Sequence, residues 1–526
     1  MRKSRTRFSR FVALAAAITL GLSACGGSDT GSDGSGSDGG SDGSGGGEIV
    51  AGVAYETTNY HPSNTSSALA MGTNWHVVEG LYEINMADYS VYAALAAEDD
   101  PVEISDTEYE VSLREGAKFS DGTDITSEDV VTSFERAMAE GNIYVPMLDF
   151  IDSVEAKDET TVTFNLTQPF SLVKERLAVV KIVPASASDE DLTAMPIGSG
   201  PWKYESITDT QITAVPNEHY NGDYPAKADT LRWEVLADDT ARTTAAQDGS
   251  ISIMENVPAE NVELLEGAGL TVEKRPGFNL PFLIFNTSKA PFDQPEVRQA
   301  FFYAINTEML VENNMAGEAI PATSFLPESH PNYKEAENVF TYDPDKAREL
   351  LDQAGVTDLS VTLLTTDHPW IANLAPQIRS DLEAVGVTVN VQSEASASVY
   401  ANHLDVEDTT YDLALAPGDP SVFGNDPALL MNWWYGDNIW TQQRSFWQES
   451  DKESYEELQS IIGEAVTLEG DAQQEKWGEA LDLLSNEVPL YPLFHRTLIT
   501  AYDAETLTGV TPIATTGLQM LDVAVK

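Results

Sequence analysis

The sequence predicts an α/β protein, and one stretch in its second half carries most of that prediction. Residues 359–366 read LSVTLLTT, a β-branched and apolar run typical of a buried strand. Residues 370–385 repeat apolar side chains at helical spacing, and residues 387–391 alternate as VTVNV. A strand–helix–strand unit of this kind predicts two parallel strands joined by a right-handed crossover.

Further strands are predicted around this unit. Residues 411–416 read YDLALA and predict a neighbouring strand. Ligands of parallel sheets bind beyond the carboxyl ends of the strands, so the loops at 366–370 and 417–423 are candidate walls of a site. Four other stretches with alternating or continuous apolar residues predict strands: 48–55, 109–113, 160–166 and 490–500.

Capping residues mark the starts of several helices. Thr126, with Asp129 three positions later, forms a capping-box pattern ahead of an apolar stripe that includes Val130 and Phe134. Pro295 opens a second helix with apolar side chains at helical spacing. Three more helices are predicted at residues 343–355, 453–467 and 471–486.

The composition fits a globular body and argues against nucleic-acid binding. The 526-residue chain has 85 acidic residues against 29 Lys and Arg, a formal net charge of −56. No basic face could neutralise phosphates against that background. The acidity is explained either by a surface suited to a salty exterior or by a composition bias that keeps the protein soluble. Cys25 is the single cysteine, so no disulfide is predicted.

Residues 1–24 have the build of a secretory signal. Five basic residues precede an apolar run at 11–22, which is too short to span a bilayer as a stable helix. The sequence Leu22-Ser23-Ala24-Cys25 resembles a bacterial lipobox, in which the cysteine becomes a lipid-carrying N-terminus. The alternative is a plain secretory signal with an unrelated cysteine. The resemblance implies attachment to the outer face of the cell membrane through Cys25.

The residues after Cys25 favour the anchor. Residues 26–47 contain only Gly, Ser, Asp and one Thr, so none of their side chains can join a core. Such a composition behaves as a flexible coil. Residues 25–47 are therefore predicted to tether a globular body that starts at residue 48. No second run of about 18 apolar residues follows, so no membrane span is predicted in the body.

Five sequence blocks are similar to one protein family. The strongest is YEVSLREGAKFSDGTDITSEDVVTSFERAM at residues 109–138. The others are VVEGLYE at 77–83, IGSGPWKY at 197–204, FNTSKAPFDQPEVRQAFFYAIN at 285–306 and YDPDKARELLDQAG at 342–355. In this order they resemble the extracellular solute-binding proteins of peptide- and nickel-type ABC transporters, the family 5 oligopeptide- and dipeptide-binding lipoproteins. The likeness covers nearly all of the body.

The resemblance implies a two-lobed clamshell of the periplasmic-binding-protein type. Lobe I is expected from 48–283 with an extra subdomain at about 80–190, lobe II from 284–489, and a return to lobe I at 490–526. The lobes would close on a ligand, and the closed form would engage a membrane permease served by an ATPase. The chain itself, expected to be a monomer, has no G-x-x-x-x-G-K-[ST] loop and is not that ATPase.

The family often places an acidic residue after the strand equivalent to YDLALA, where it pairs with a peptide α-ammonium. Asp419 fits that place best, and Asp426 is the second candidate. A carboxylate desolvated between lobes gains most from a cationic ligand group. The alternative is a turn-forming aspartate, which Gly418 and Pro420 beside it favour.

Aromatic and imidazole side chains complete the expected site: Trp433, Trp434, Tyr435, His368, Trp370, Tyr60 and His61. The tryptophan–tyrosine run provides flat walls for varied ligand side chains, or it packs in the core. Some relatives place an arginine near residues 368–370 for a peptide carboxylate, and none stands there in this chain. That departure leaves room for longer peptides or for a non-peptide solute.

Other functions find less support in the motifs. The chain has no H-E-x-x-H, no cysteine cluster and no G-x-S-x-G, so we expect no catalytic residues, metal site or cofactor. Paired carboxylates arise by chance among 85 acidic residues, which weakens a hydrolase interpretation. The same scaffold binding a nickel chelate, haem or an oligosaccharide stays open, with His61, His368 or Met431 as contacts. We therefore expect a lipid-anchored receptor that delivers peptides to an ABC importer.

Overall fold

The structure, a computed structural model, describes residues 46–406 and 409–526. It is an α/β protein with two main sheets. We call the part built on the eight-stranded sheet lobe I and the part built on the five-stranded sheet lobe II. The predicted signal, Cys25 and the tether through residue 45 lie outside the described residues. Within the described ranges, no helix is both long and apolar enough to cross a membrane.

Lobe I is organised around the strand that opens the body. Glu48–Val53 runs parallel to both of its neighbours, and all of its residues except the first are buried. A strand covered on both faces accounts for the apolar run at 49–53. In spatial order the sheet contains Thr271–Pro276, Phe494–Tyr502, Ile253–Met254, Glu48–Val53, Thr230–Val235, Gln211–Pro216 and Trp202–Ile207, with Ala319–Pro321 paired to Phe494–Tyr502.

Lobe II contains the predicted strand–helix–strand unit. Ser360–Thr366 and Thr388–Glu394 pair in parallel, and the helix Ala375–Ala384 lies between them in sequence, which confirms that prediction. Leu413–Gly418 pairs in parallel with the other edge of Ser360–Thr366. The order of the five strands is Thr388–Glu394, Ser360–Thr366, Leu413–Gly418, Leu280–Phe285 and Leu490–Pro492, with the last two each antiparallel to the strand before it.

The chain passes between the two sheets at two points. Residues 277–279 leave the lobe I sheet and enter the lobe II sheet. At Leu493 the chain returns from lobe II to lobe I, because this residue separates Leu490–Pro492 in lobe II from Phe494–Tyr502 in lobe I. The prediction of one continuous strand over 490–500 is therefore wrong, because that stretch is divided between two sheets.

These two passages are bonded to each other. The amide of Gly277 donates to the carbonyl of Arg496 at 3.1 Å, and the amide of Arg496 donates to the carbonyl of Asn279 at 2.8 Å. A Cβ at Gly277 would lie 2.2 Å from the carbonyl oxygen of Ala514, so a larger residue does not fit there. Two short adjacent connections between lobes have the geometry of a hinge.

A separate four-stranded antiparallel sheet forms what we call the subdomain. The helix Ser127–Ala137 packs on it and buries Val130 and Phe134. Its predicted capping box is confirmed, because the amide of Thr126 donates to Asp129 Oδ2 at 2.9 Å and the reciprocal bond is present. The order of the strands is Val102–Ser105, Glu108–Ser112, Thr161–Leu166 and Ile151–Ala156.

The remaining elements surround these sheets. Two small pairings join Tyr82–Asn85 with Ser90–Ala93 and Leu507–Thr508 with Ala524–Val525. The helices predicted from Pro295, from residue 343 and in the last hundred residues are present. Besides Ser127–Ala137 and Ala375–Ala384, the α-helices have these bounds: Ala68–Val77, Val145–Leu148, Val173–Leu177, Asp189–Ala194, Asp239–Asp248, Val262–Gly267, Pro295–Ala304, Thr307–Asn314, Pro344–Gln353, Pro369–Ala372, Ser396–Val399, Pro427–Tyr435, Trp447–Ser450, Lys452–Ala465 and Gly470–Glu487.

The lobes are in contact in this structure. One apolar cluster runs without interruption from the subdomain, through Phe134 and Phe164, into the core of lobe II at Leu283 and Leu363. At the join, the ring of Tyr144 packs edge-on against Phe423, with centroids 5.2 Å apart. We call this arrangement, with the lobes in contact, the closed form, and the candidate site is described in it.

Candidate ligand-binding site between the lobes

A small cavity lies between the lobes, beside the hinge. Its volume is about 70 Å³. Lobe I contributes Asn256 and Arg496 to its walls, and lobe II contributes Asn314, Trp370 and Asn373. Ligand pockets usually measure about 300–1,000 Å³, so the closed lobes leave space here for only a few atoms.

Arg496 is the cation at this cavity. It follows the second passage between the lobes by three residues, and only 9% of it is exposed. Its Nη2 donates to Asn256 Oδ1 at 2.9 Å, and its Nη1 donates to Asn279 Oδ1 at 3.3 Å. The guanidinium carbon lies 4.1 Å from the ring centroid of Trp370. Burial lowers the pKa of Arg496 from its usual value, while nearby Tyr55 opposes that shift.

Tyr55 and His368 extend this surface. Tyr55 follows the first strand of lobe I, His368 follows a lobe II strand, and their ring centroids are 6.2 Å apart. Burial raises the pKa of Tyr55 to about 12 and lowers the pKa of His368, so both side chains are neutral at pH 7. His368 Nδ1 lies 3.0 Å from Thr366 Oγ1. Two of the predicted site residues, His368 and Trp370, are thus brought together here.

Asp419 lies at the end of the lobe II strand Leu413–Gly418 and contacts the C-terminal segment. Its Oδ2 accepts from the amide of Thr516 at 2.8 Å, from the hydroxyl of Thr516 at 2.6 Å and from the hydroxyl of Thr515 at 3.3 Å. Its Oδ1 accepts from Ser421. Burial raises the pKa of Asp419, and these hydrogen bonds oppose the shift. In the closed form, four donors of the chain itself therefore hold this carboxylate.

Asp426, the second acidic candidate, is in an ion pair between the subdomain and lobe II. Its Oδ2 accepts from Arg176 Nε at 2.9 Å, and its Oδ1 accepts from Arg176 Nη2 at 2.8 Å. The same Oδ1 accepts from the amide of Leu429 at 2.8 Å and so caps the helix Pro427–Tyr435. Asp426 is thereby fully engaged within the protein.

The tryptophan–tyrosine run is mostly core. Trp434 is 1% exposed and Tyr435 is 0% exposed. Trp434 packs against Phe282, with centroids 5.5 Å apart. Trp433 is half-buried against Phe423, at 5.0 Å between centroids. None of the three lines the cavity beside Arg496, and their packing in lobe II accounts for them.

Tyr60 and His61 lie inside lobe I. Tyr60 belongs to its apolar core and contacts Tyr204 edge-on, at 6.3 Å between centroids. His61 Nε2 is 3.6 Å from Asp189 Oδ1, and burial lowers the pKa of this imidazole. Neither residue lines the cavity beside Arg496. Within residues 46–406 and 409–526, no three His, Cys, Asp or Glu side chains come together as metal ligands.

A larger cavity of about 320 Å³ lies within lobe I, away from the hinge. Its walls include Tyr92 and Tyr220 together with the buried carboxylates Glu79 and Glu83. Glu79 pairs with Arg114 at 3.2 Å, and Glu83 pairs with a lysine. Since both buried carboxylates already have cationic partners, this cavity presents neither of them to a ligand.

The sequence analysis missed Arg496 and the two asparagines that hold it. Asn256 and Asn279 stand in loops without a recognisable motif, and only the fold brings them to the same guanidinium. A signal for Arg496 was available. It is the one Asp, Glu, Lys or Arg in LYPLFHRTLIT, residues 490–500. A charged residue inside so apolar a strand indicates a buried ionic contact or a functional site.

A comparison with protein families fits this architecture. The model of bacterial extracellular solute-binding proteins, family 5 (middle), matches residues 90–441. The chain belongs to this family. The assignment made from the five sequence blocks is confirmed. Members of the family are extracytoplasmic and work with ABC permease and ATPase components.

Individual relatives cover nearly the whole chain. Glutathione-binding protein GsiB of Escherichia coli (strain K12) is 27% identical over 504 residues, 90% of this chain and 94% of that protein. AgaA from A. tumefaciens R10, solved with agropinic acid, has a TM-score of 0.81 at 24% identity and covers 91% of this chain and 99% of that one. A dipeptide-binding protein of Pseudoalteromonas sp. SM9913, solved with Met-Leu, has a TM-score of 0.79 at 17% identity, covering 91% and 100%. The two-lobed fold of the family is thus the fold of this chain.

Proposed function

We propose that this protein is a lipid-anchored receptor that captures peptides, from dipeptides upward, between its lobes and delivers them to an ABC permease. The observation that carries the proposal is the cavity beside the hinge, where Arg496 of one lobe meets Trp370 of the other. Relatives named for glutathione, for the dipeptide Met-Leu and for a nonapeptide favour a peptide or peptide-like ligand.

Capture requires the lobes to separate first. A cavity of about 70 Å³ is smaller than a dipeptide needs. The connections at 277–279 and Leu493 are short and adjacent, so the lobes can rotate as rigid bodies about them. A ligand that contacts both lobes binds the closed form better than the open form, and it therefore shifts the population toward closure.

A thermal-shift screen of the purified full-length protein tests the ligand class. The probes are Met-Leu, glutathione, a nonapeptide, nickel–histidine, haem and an oligosaccharide. Binding to the folded state alone stabilises it by about 2.7 kcal/mol when the ligand is at 100 times its Kd. We expect at least one peptide to raise the melting temperature. A response confined to haem, nickel–histidine or the oligosaccharide would overturn the peptide assignment but leave the receptor role.

X-ray scattering tests the capture mechanism itself. The ligand-free protein should have a larger radius of gyration than the same protein with a saturating peptide, because the open lobes move apart about the hinge. Identical scattering with and without a peptide that calorimetry shows to bind would contradict the clamshell mechanism.

The lipid anchor is tested by Cys25→Ser. The variant should appear in the culture medium, whereas the parent protein should stay with the membrane fraction. Ser44→Ala, in the same predicted tether, is the matched control and should fractionate like the parent. Membrane retention of Cys25→Ser would exclude anchoring through this residue.

Asp419 stays a predicted contact for a peptide ammonium. A carboxylate offers about four acceptor positions, and Oδ1 is engaged only by Ser421, so this oxygen keeps capacity for another donor. Asp419→Asn should weaken binding of a free peptide more than binding of its N-acetylated form. Equal affinities of the variant and the parent for both peptides would show that the contact does not exist.

A further inference from the structure

Four arginines in the described part of the chain are 9% exposed or less, and they divide into two kinds. Three of them, Arg176, Arg242 and Arg298, each lie within 3.2 Å of a carboxylate oxygen. Arg496 is different, because no Asp or Glu of the described residues forms an ion pair with it. An unpaired buried charge is strongly unfavourable, so its retention calls for a partner from outside the chain.

The contacts of Arg496 orient its guanidinium without neutralising it. It donates hydrogen bonds to the neutral amide oxygens of Asn256 and Asn279, it lies beside the neutral hydroxyl of Tyr55, and one face lies over the indole of Trp370. A guanidinium has five N–H donors, so these two bonds leave donors available. The planar guanidinium of Arg496 is therefore held in one orientation at the wall of the cavity between the lobes.

The indole N–H of Trp370 is a further donor at the same cavity, and it has no acceptor in the described part of the chain. The indole Nε1 of Trp370 is buried and makes no hydrogen bond within the described residues. Trp370 lines the cavity together with Arg496. The buried indole N–H groups of Trp434 and Trp447 also lack an acceptor among these residues, but neither residue lines this cavity. An indole N–H of lobe II without an acceptor thus lies at the same cavity as the guanidinium of lobe I, which has no ion-pair partner among the residues described.

Among the described residues, none of the carboxylates that line this cavity forms an ion pair with Arg496. They are Asp239, Glu260 and Glu318. Asp239 pairs with Arg242, and Glu318 pairs with Lys274. The chain therefore leaves the position opposite this guanidinium to an incoming anion.

We propose that Arg496 binds a carboxylate of the ligand, assisted by the indole N–H of Trp370. The ligand is then an organic acid, and for a peptide the group is its free C-terminal carboxylate. Arginine binds carboxylates in a bidentate geometry that also fixes their orientation. This inference rests on the proposed receptor function of the cleft. It narrows the class of ligands, because amidated peptides and neutral sugars have no carboxylate for Arg496 to bind.

Calorimetry with paired probes tests the inference on the full-length protein. The probes are Met-Leu, its C-terminal amide, glutathione and agropinic acid. At least one of the acids should bind the parent protein, and the amide should bind at least about 30-fold more weakly than Met-Leu. Arg496→Gln should lose affinity for the acid by a similar factor. Arg496→Lys keeps the charge but not the planar guanidinium, so its affinity should lie between those of the parent and Arg496→Gln.

The control is Arg275→Gln, which removes an exposed arginine from the neighbouring strand of the same sheet and should leave affinity unchanged. Without ligand, Arg496→Gln should melt no lower than the parent, because it removes an unpaired buried charge. If Arg496→Gln does not fold, the inference is tested by the affinity of Arg496→Lys and by the comparison of Met-Leu with its C-terminal amide.

The outcomes separate this inference from the peptide assignment. Equal binding of Met-Leu and its amide, equal affinity of Arg496→Gln and the parent, or no binding of any acid would each overturn the role of Arg496. Binding of agropinic acid that depends on Arg496, without binding of either peptide, would support that role and refute the peptide ligand.

Discussion

The ion pair between Arg176 and Asp426 gives the most demanding test of how the lobes are held together. Arg176 is 1% exposed and donates through two nitrogens, at 2.8 and 2.9 Å, to a carboxylate on lobe II. It also donates to the carbonyl of Met147 at 2.8 Å, within the subdomain. Asp426 is 9% exposed, so neither partner can recover much hydration if the other is lost.

The magnitude follows from this geometry. Removing one partner of a buried ion pair leaves an uncompensated charge and costs about 3–5 kcal/mol. Asp426→Asn should therefore destabilise the closed protein by that amount, although asparagine still caps the helix Pro427–Tyr435 as well as aspartate does. Asp426→Ala loses the cap too and should cost about 1 kcal/mol more. The double variant Arg176→Met with Asp426→Asn also removes the unpaired guanidinium charge, so it should recover most of the lost stability.

Thermal and urea unfolding measure these differences, and X-ray scattering shows whether the weakened closed form opens. The control is Asp345→Asn, which breaks the exposed pair between Asp345 and Arg348 and should change stability by less than about 1 kcal/mol. If Asp426→Asn unfolds at the same midpoint as the parent, or if the two substitutions of the double variant add as independent losses, the pair does not hold the lobes as described.

Three further predictions concern stability and use urea midpoints. Gly198→Ala should destabilise by about 1–3 kcal/mol, because its Cβ would lie 2.2 Å from the carbonyl oxygen of Val77. Gly463→Ala, in an open part of a helix, should instead stabilise by about 0.5–1 kcal/mol. Burial lowers the pKa of His76 to about 4, and its Nε2 accepts from the amide of Met520 at 2.8 Å. The neutral ring thus contributes stability that is complete above about pH 6.5 and is lost as the pH falls toward 4, by roughly 3 kcal/mol. His76→Gln should flatten this dependence.

Much of the fold was predictable because it rests on local patterns. The capping box at Thr126, the strand–helix–strand unit at 359–391 and the helices near the C-terminus each follow from spacing over a few residues. The division of 490–500 between two sheets was not predictable in this way. Strand-forming residues occur in both halves, and only pairing with distant strands separates the halves at Leu493.

The site was less predictable because distant segments form it. The predicted loop at 366–370 does reach the cavity through Trp370. Its partners Asn256, Asn279 and Arg496 come from three other segments, and no spacing relates them. Conversely, Trp434 has the residue type expected of a ligand wall, but the strands of lobe II bury it. Residue type alone does not distinguish a side chain that contacts a ligand from one that packs in the core.

The position of Arg496 explains why a ligand there favours closure. Its Nη1 donates to Asn279 in the hinge, Asn279 Nδ2 donates to Thr516 Oγ1 at 3.0 Å, and the same Thr516 hydroxyl donates to Asp419 of lobe II at 2.6 Å. This chain of hydrogen bonds joins the proposed carboxylate site to a contact between lobe II and the C-terminal segment. Linked hydrogen bonds polarise and strengthen one another. Trp370 reaches the guanidinium from lobe II. If the lobes separate as proposed, an anion bound by both residues gains contacts in the closed form that the open form lacks. That difference in affinity is what a ligand needs to close the protein.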